Sequence, residues 1–117
     1  MAGAVGLLRP FAVVVVPFPF VDRAVARRRP ALVVSSEAFN GGHPVVTLAM
    51  ITTARASDWP SDVELRDWRA AGLTVACRVR FKLFTLDVAL VLDERGLLSP
   101  HDQRAVESGL RATLAIA

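Results

Sequence analysis

Two apolar, β-branched runs, each bounded by proline, constrain this chain more than any other feature of it. The first, Ala12-Val13-Val14-Val15-Val16, runs into Pro17-Phe18-Pro19-Phe20. The second, Ala31-Leu32-Val33-Val34, is opened by Arg28-Arg29-Pro30. The first run, with no polar residue to mark a wet face, reads as a strand buried on both sides, and Ala31 to Ser35 reads as the second strand. Proline cannot donate to a sheet ladder, so it belongs at strand ends and edges and delimits both segments. The connection between them holds Asp22, Arg23, Arg27, Arg28 and Arg29. Guanidinium groups resist burial without partners, so arginines gathered in one short loop are not a packing device. An anionic partner is expected there, because a planar fork of donors matches phosphate oxygens.

The rest of the pattern extends the β reading. Val45 to Ile51 predicts a third strand, reached through a turn at Asn40-Gly41-Gly42, with Thr52 and Thr53 at its end. Val63 and Leu65 alternate with Glu64 and Arg66 as a short, half-exposed strand, so Asp62 and Glu64 read as solvated edge charges. Asp67 to Leu73 reads as a turn or a single helical turn, ended by Gly72. Thr74 to Arg80 alternates, with Val75, Cys77 and Val79 on one side and Arg78 and Arg80 on the other. Lys82 to Leu86 and Val88 to Leu92 are shorter strand candidates. Ser99 then caps a helix with Pro100 at its first position and Asp102 in its first turn, and Val106, Leu110 and Leu114 form its buried stripe. Short strands followed by one terminal helix predict a mainly β fold, a small closed or half-closed barrel with a C-terminal α-helix, with 1–117 as one domain.

Composition narrows the function classes. Cys77 is the only cysteine, so an internal disulfide and a cysteine-based zinc cluster are both excluded, and its apolar setting reads as packing. Apolar residues make up 53% of the chain, yet no run approaches the roughly 20 residues a membrane helix needs. No targeting segment is read, and a cytoplasmic protein is expected. The apolar surplus points to a subunit interface. The net charge is +3, unevenly placed: residues through 56 carry six arginines against two acids, whereas the remainder carries eight bases against nine acids.

Taken in order, these segments resemble the MazF/PemK family, small ribonuclease toxins of type II toxin–antitoxin pairs. The resemblance rests on Pro17 to Phe20, the loop to Arg28, and the Arg29-Pro30 step. It continues through Met50-Ile51-Thr52-Thr53, Trp59-Pro60 with Val63, Ala71-Gly72-Leu73, Val79-Arg80, Lys82-Leu83 with Thr85-Leu86-Asp87, and Gly96-Leu97-Leu98-Ser99. Two positions depart from the family pattern: Phe11-Ala12 replaces the usual Gly-Asp entering the first strand, and Phe81 stands where many relatives carry an aspartate. The resemblance implies an SH3-like barrel of the MazF/PemK/CcdB toxin type that pairs as a homodimer. It also implies metal-independent cleavage of single-stranded RNA, no cofactor, and a small acidic antitoxin as partner.

Cleaving RNA without a metal uses the 2′-hydroxyl as nucleophile, and negative charge gathers on the phosphoryl oxygens in the transition state. Fixed donors aimed at that charge are the largest catalytic contribution available. Arg29, anchored by Pro30 and the second strand, suits that role, and the resemblance places the catalytic arginine there. It likewise points to Thr52 as the catalytic hydroxyl, with Thr53 as a support or base contact. Arg23, Arg27 and Arg28 are expected to bind backbone phosphates, and Arg80 and Lys82 the nucleotides flanking the cut. His43 and His101 are the remaining groups that titrate near neutrality. Trp59 and Trp68 read as packing residues with base stacking as the alternative. Two other readings stay open: a family member that binds RNA or antitoxin without cutting, and a gyrase-poisoning toxin on the same barrel. The latter has a Trp-Gly-Ile-like C-terminus, whereas this chain ends Leu114-Ala115-Ile116-Ala117.

Overall fold

A computed structural model describes residues 6–17, 27–55 and 57–116. Six strands form one antiparallel sheet in the order β4-β5-β3-β2-β1-β6, curled as a half-barrel and followed by a C-terminal helix. The strands are β1 (Ala12–Pro17), β2 (Arg28–Val33), β3 (Val45–Thr53), β4 (Val63–Glu64), β5 (Cys77–Asp87) and β6 (Asp93–Leu97). The helices are α1 (Glu37–Gly42) and α2 (Pro100–Thr113), and Val88–Leu90 forms a single 3-10 turn.

The two apolar runs are interior strands of this sheet, neither of them at an edge. Ala12 to Val16 are all buried, and β1 lies between β2 and β6. Alternate residues feed two cores. Val13, Leu32, Ala49, Ile51, Val79 and Phe81 face one cluster, which Val106 of α2 closes. Val14, Val16, Ala31, Val33 and Leu48 face the other, closed by Leu8 and Val91. Each fully buried valine or leucine contributes about 1.5–3 kcal/mol.

Several boundaries differ from the sequence reading, each for a local reason. The segment around Asn40-Gly41-Gly42 is not a bare turn but the end of α1, started by Ser36, whose Oγ accepts from the Phe39 N–H. Asn40 donates to the Leu8 carbonyl at 2.8 Å and so ties the N-terminal segment to this corner. The candidate strands from Thr74 to Leu86 are one strand, β5, which begins only at Cys77 and absorbs a register shift opposite Leu48 and Met50. Val88 to Leu92 is not a strand: the Asp87 carboxylate accepts from the Ala89 N–H and turns the chain. The polar segment Asp93–Leu97 is the strand instead, held by pairing with β1. In α2, Ser99 caps as expected, accepting from the Asp102 N–H, and Val106 is buried. Leu114 lies past the helix and is 42% exposed, so the stripe ends at Leu110. No helix among the described residues is long and apolar enough to cross a membrane.

Candidate functional site

Pro30 shapes the site. It has no N–H to give, and β2 pairs with β3 only from Ala31 (opposite Met50) onward, whereas its pairing with β1 continues through Pro30 to Arg28. Beyond Ala31 the ends of β2 and β3 are therefore free to part. Extending their register by two residues sets Arg29 across from Thr52, and Thr52 itself pairs with Arg78 of β5. Arg29, Pro30, Ile51, Thr52, Thr53 and Thr74 line a cavity of about 180 Å³ at this parting. A second cavity of about 260 Å³ adjoins it, sharing Arg29, Pro30, Leu73 and Thr74 and adding Arg28, Asp93 and Arg95. Together they form one trough with arginines along it and hydroxyls at one end.

The outer wall of the trough is fixed by close backbone packing. Gly72 has φ +83°, and a Cβ there would meet the Arg95 carbonyl oxygen at 2.5 Å. A Cβ on Gly96 would meet the Ala71 carbonyl oxygen at 2.7 Å. The 71–74 segment is thus pressed onto β6 in a way that only glycine permits. Its upstream end is fastened by Asp102, which is fully buried. The two Asp102 oxygens accept from the backbone N–H groups of Arg66 (3.1 Å) and Asp67 (2.8 Å). Ser99 donates to Asp67 at 2.6 Å, and this bond, with the neighbouring Arg66, holds the Asp67 carboxyl below its usual range. Asp67, His101 and Asp102 lie close together, but these bonds commit their carboxylates to holding the wall.

The expected site residues sort into three groups. Arg29 and Thr52, both half-buried, and exposed Arg28 and Thr53 are brought together along the trough. Arg27 is exposed just before β2, Lys82 is exposed on β5 and lines neither cavity, and Arg23 lies outside the described residues. Arg80 is corrected. It is 7% exposed, and its Nε and Nη2 donate to the two Asp62 oxygens at 3.0 and 2.8 Å, with the Ser57 carbonyl as a further acceptor. A guanidinium so engaged ties the loop that carries Ser57 and Asp62 to β5.

Asp62 is corrected with it. Its side chain is only 6% exposed, not a solvated edge charge, and the Arg80 guanidinium holds its carboxyl below the usual carboxylate range. Arg78, also buried, pairs with Asp58 and donates to the Ala54 carbonyl at 2.8 Å, which anchors the chain leaving Thr53. His43 stacks on Phe39 and His101 sits beside Asp102, so neither lines the trough. Cys77 is buried, and that burial pushes its thiol pKa up, as a packing residue requires. Thr74 and Arg95 were not singled out from sequence. Thr74 reads from sequence as the start of an alternating strand, yet it lies before β5, and the close packing at Gly72 and Gly96 sets it and Arg95 beside Arg29.

Among solved structures the chain resembles several toxins of one kind. An endoribonuclease in complex with its cognate antitoxin, from a mycobacterial species, is 19% identical, with 97% of this chain and 98% of that one covered and a TM-score of 0.76. The MazE–MazF complex from Deinococcus radiodurans holds a chain that is 21% identical, with 96% and 100% covered and a TM-score of 0.76. The Mycobacterium tuberculosis toxin MazF-mt6 is 19% identical, with 93% and 99% covered and a TM-score of 0.71. At these identities the likeness is one of fold. None of the curated proteins matches the chain. The family profile described as "PemK-like, MazF-like toxin of type II toxin-antitoxin system" matches residues 9–114. The chain therefore belongs to the PemK/MazF toxin family of type II toxin–antitoxin systems.

Proposed function

We propose that this toxin is a metal-independent, sequence-selective endoribonuclease that cuts single-stranded RNA. The observation that carries the reading is that Arg29 and Thr52, from different strands, line one cavity whose neighbour adds Arg28 and Arg95. In this mechanism the 2′-oxygen attacks the adjacent phosphorus and the bond from phosphorus to the 5′-oxygen breaks. The products are a 2′,3′-cyclic phosphate and a 5′-hydroxyl, the 2′-proton leaving and the 5′-oxygen gaining one. Arg29 stabilises the phosphoryl oxygens as they become most negative, and Thr52 donates a hydrogen bond to the same group or orients the 2′-hydroxyl. No cofactor enters the scheme. The similar mycobacterial endoribonuclease is in complex with its cognate antitoxin and the similar Deinococcus chain is in a MazE–MazF complex, and a small acidic antitoxin covering the arginine-lined trough is the matching partner here.

The test is incubation with a long RNA in EDTA, followed by mapping of the fragment ends. Cyclic-phosphate and 5′-hydroxyl ends are expected from the unaltered protein, with an approximately 100- to 1,000-fold slower rate for Arg29→Ala. Equal cleavage by that variant would refute the assignment. We further propose that the chain works in the cytoplasm and as a homodimer, the dimer being supported by the exposed Leu7, Leu90, Leu114 and Ile116. Sedimentation should show a species of twice 12.6 kDa, and a monomer at all concentrations would remove the dimer.

A further inference from the structure

We infer that Trp59 is a stacking platform for a nucleobase next to the cut, held in place by the buried Arg80–Asp62 pair. This inference rests on the chain's acting on RNA. Trp59 is 41% exposed, although the two acids of its loop, Asp58 and Asp62, are engaged by Arg78 and Arg80. Asp62 fixes that loop at both ends of the Trp59 residue. Its carboxylate accepts from the Trp59 N–H at 3.0 Å, and its own N–H donates to the Trp59 carbonyl at 3.0 Å. The Arg80 guanidinium carbon lies 4.8 Å from the indole centroid, so the ring rests on a cation that Asp62 and Ser57 keep immobile. Trp68 contrasts with it, being half-buried and packed against the core.

The placement relative to the trough follows from the register. Arg80 pairs with Met50 and Arg78 with Thr52, so the platform stands over the row one step from the candidate catalytic threonine. Two residues along a strand cover about 6.8 Å, a distance that one nucleotide of an extended strand spans. The electrostatics select the part of the nucleotide. Arg78 and Arg80 are matched by Asp58, Asp62 and Glu64, so this patch offers no net positive charge to a phosphate. What it offers is an uncharged π-face in a fixed orientation, which stacks on a base with little ordering cost.

The experiment uses the full chain and a single-stranded 2′-O-methyl RNA, which cannot supply the attacking hydroxyl. Trp59→Ala should weaken binding about 5- to 150-fold, and Trp59→Phe should keep most of the affinity. Tryptophan fluorescence should be quenched on binding in the unaltered protein and not in Trp59→Phe, where Trp68 alone reports. Asp62→Asn should weaken binding when Trp59 is present but add little in the Trp59→Ala background, the non-additivity that marks action through the indole. Unchanged affinity in Trp59→Ala, or quenching that persists in Trp59→Phe, overturns the platform while Arg29→Ala still reports on the nuclease. Quenching and binding by a protein that does not cut would support the platform and remove the nuclease.

Discussion

A Cβ built on Gly109 would lie 2.6 Å from two ring carbons of Phe81 and 3.2 Å from Val63. Phe81 is 7% exposed and belongs to the core that α2 closes, so its ring fills the space a helix side chain would otherwise take. Phenylalanine and glycine are thus fitted to each other across β5 and α2, at one of the two positions where the sequence departs from the pattern it resembles. Glycine inside a helix costs about 1 kcal/mol against alanine, yet the overlap with the Phe81 ring decides the sign here. Gly109→Ala is expected to destabilise by about 1–2 kcal/mol in urea unfolding, and Phe81→Leu with Gly109→Ala to cost less than the two changes summed. A Gly109→Ala variant more stable than the parent would break the account. Phe11, the other departure, shows a similar accommodation. It holds φ 71°, left-handed backbone that favours glycine, at a cost of roughly 1–2 kcal/mol. Its N–H donates to the Val33 carbonyl at 2.7 Å, its carbonyl accepts from Leu98, and its ring packs on the core, which together hold it there.

Among the elements, those legible in sequence are the ones whose own residues determine them. β1 and β2 were visible because a run of buried valines has no alternative use, and α2 because Ser99, Pro100 and Val106 mark its start and its inner face. What sequence concealed depends on distant partners. β6 is a run of Asp, Glu, Arg and Gly that becomes a strand only because β1 has an edge to fill. β5 looked like two pieces because its alternation slips where it bulges against β3. The same division holds in the site. Arg29 announced itself through Pro30, whereas Arg95 reaches the trough only because Gly72 and Gly96 let two backbones touch. Arg80 misled for the converse reason. An arginine on an alternating strand reads as exposed, and only the returning loop supplies the Asp62 that buries it. Asp102 looked like a helix-dipole residue, but it carries two backbone N–H groups from 35 and 36 residues away.

For the whole molecule, the consequence lies in where its positive charge is usable. The net charge is +3, but Arg78 and Arg80 are consumed by the 57–64 segment. The cations that line the trough are Arg28 and Arg29 at the head of β2 and Arg95 across it on β6, half exposed and 3.0 Å from Asp93. Binding driven by such contacts releases counterions, so affinity falls with salt along a slope set by the number of phosphates engaged. For a single strand each contact contributes about 0.7 to that slope. Titrating the 2′-O-methyl RNA across a salt series should therefore show the slope reduced by about 0.7 in Arg28→Ala and again in Arg95→Ala. Arg104→Ala, an exposed site on α2 that lines neither cavity, should leave it unchanged. Trp59→Ala should lower affinity at every salt concentration without altering the slope, because a stacked base releases no counterion. If Arg104→Ala moved the slope as much as Arg28→Ala, the attraction would belong to the molecule's overall charge, and the trough would lose its claim to the RNA backbone.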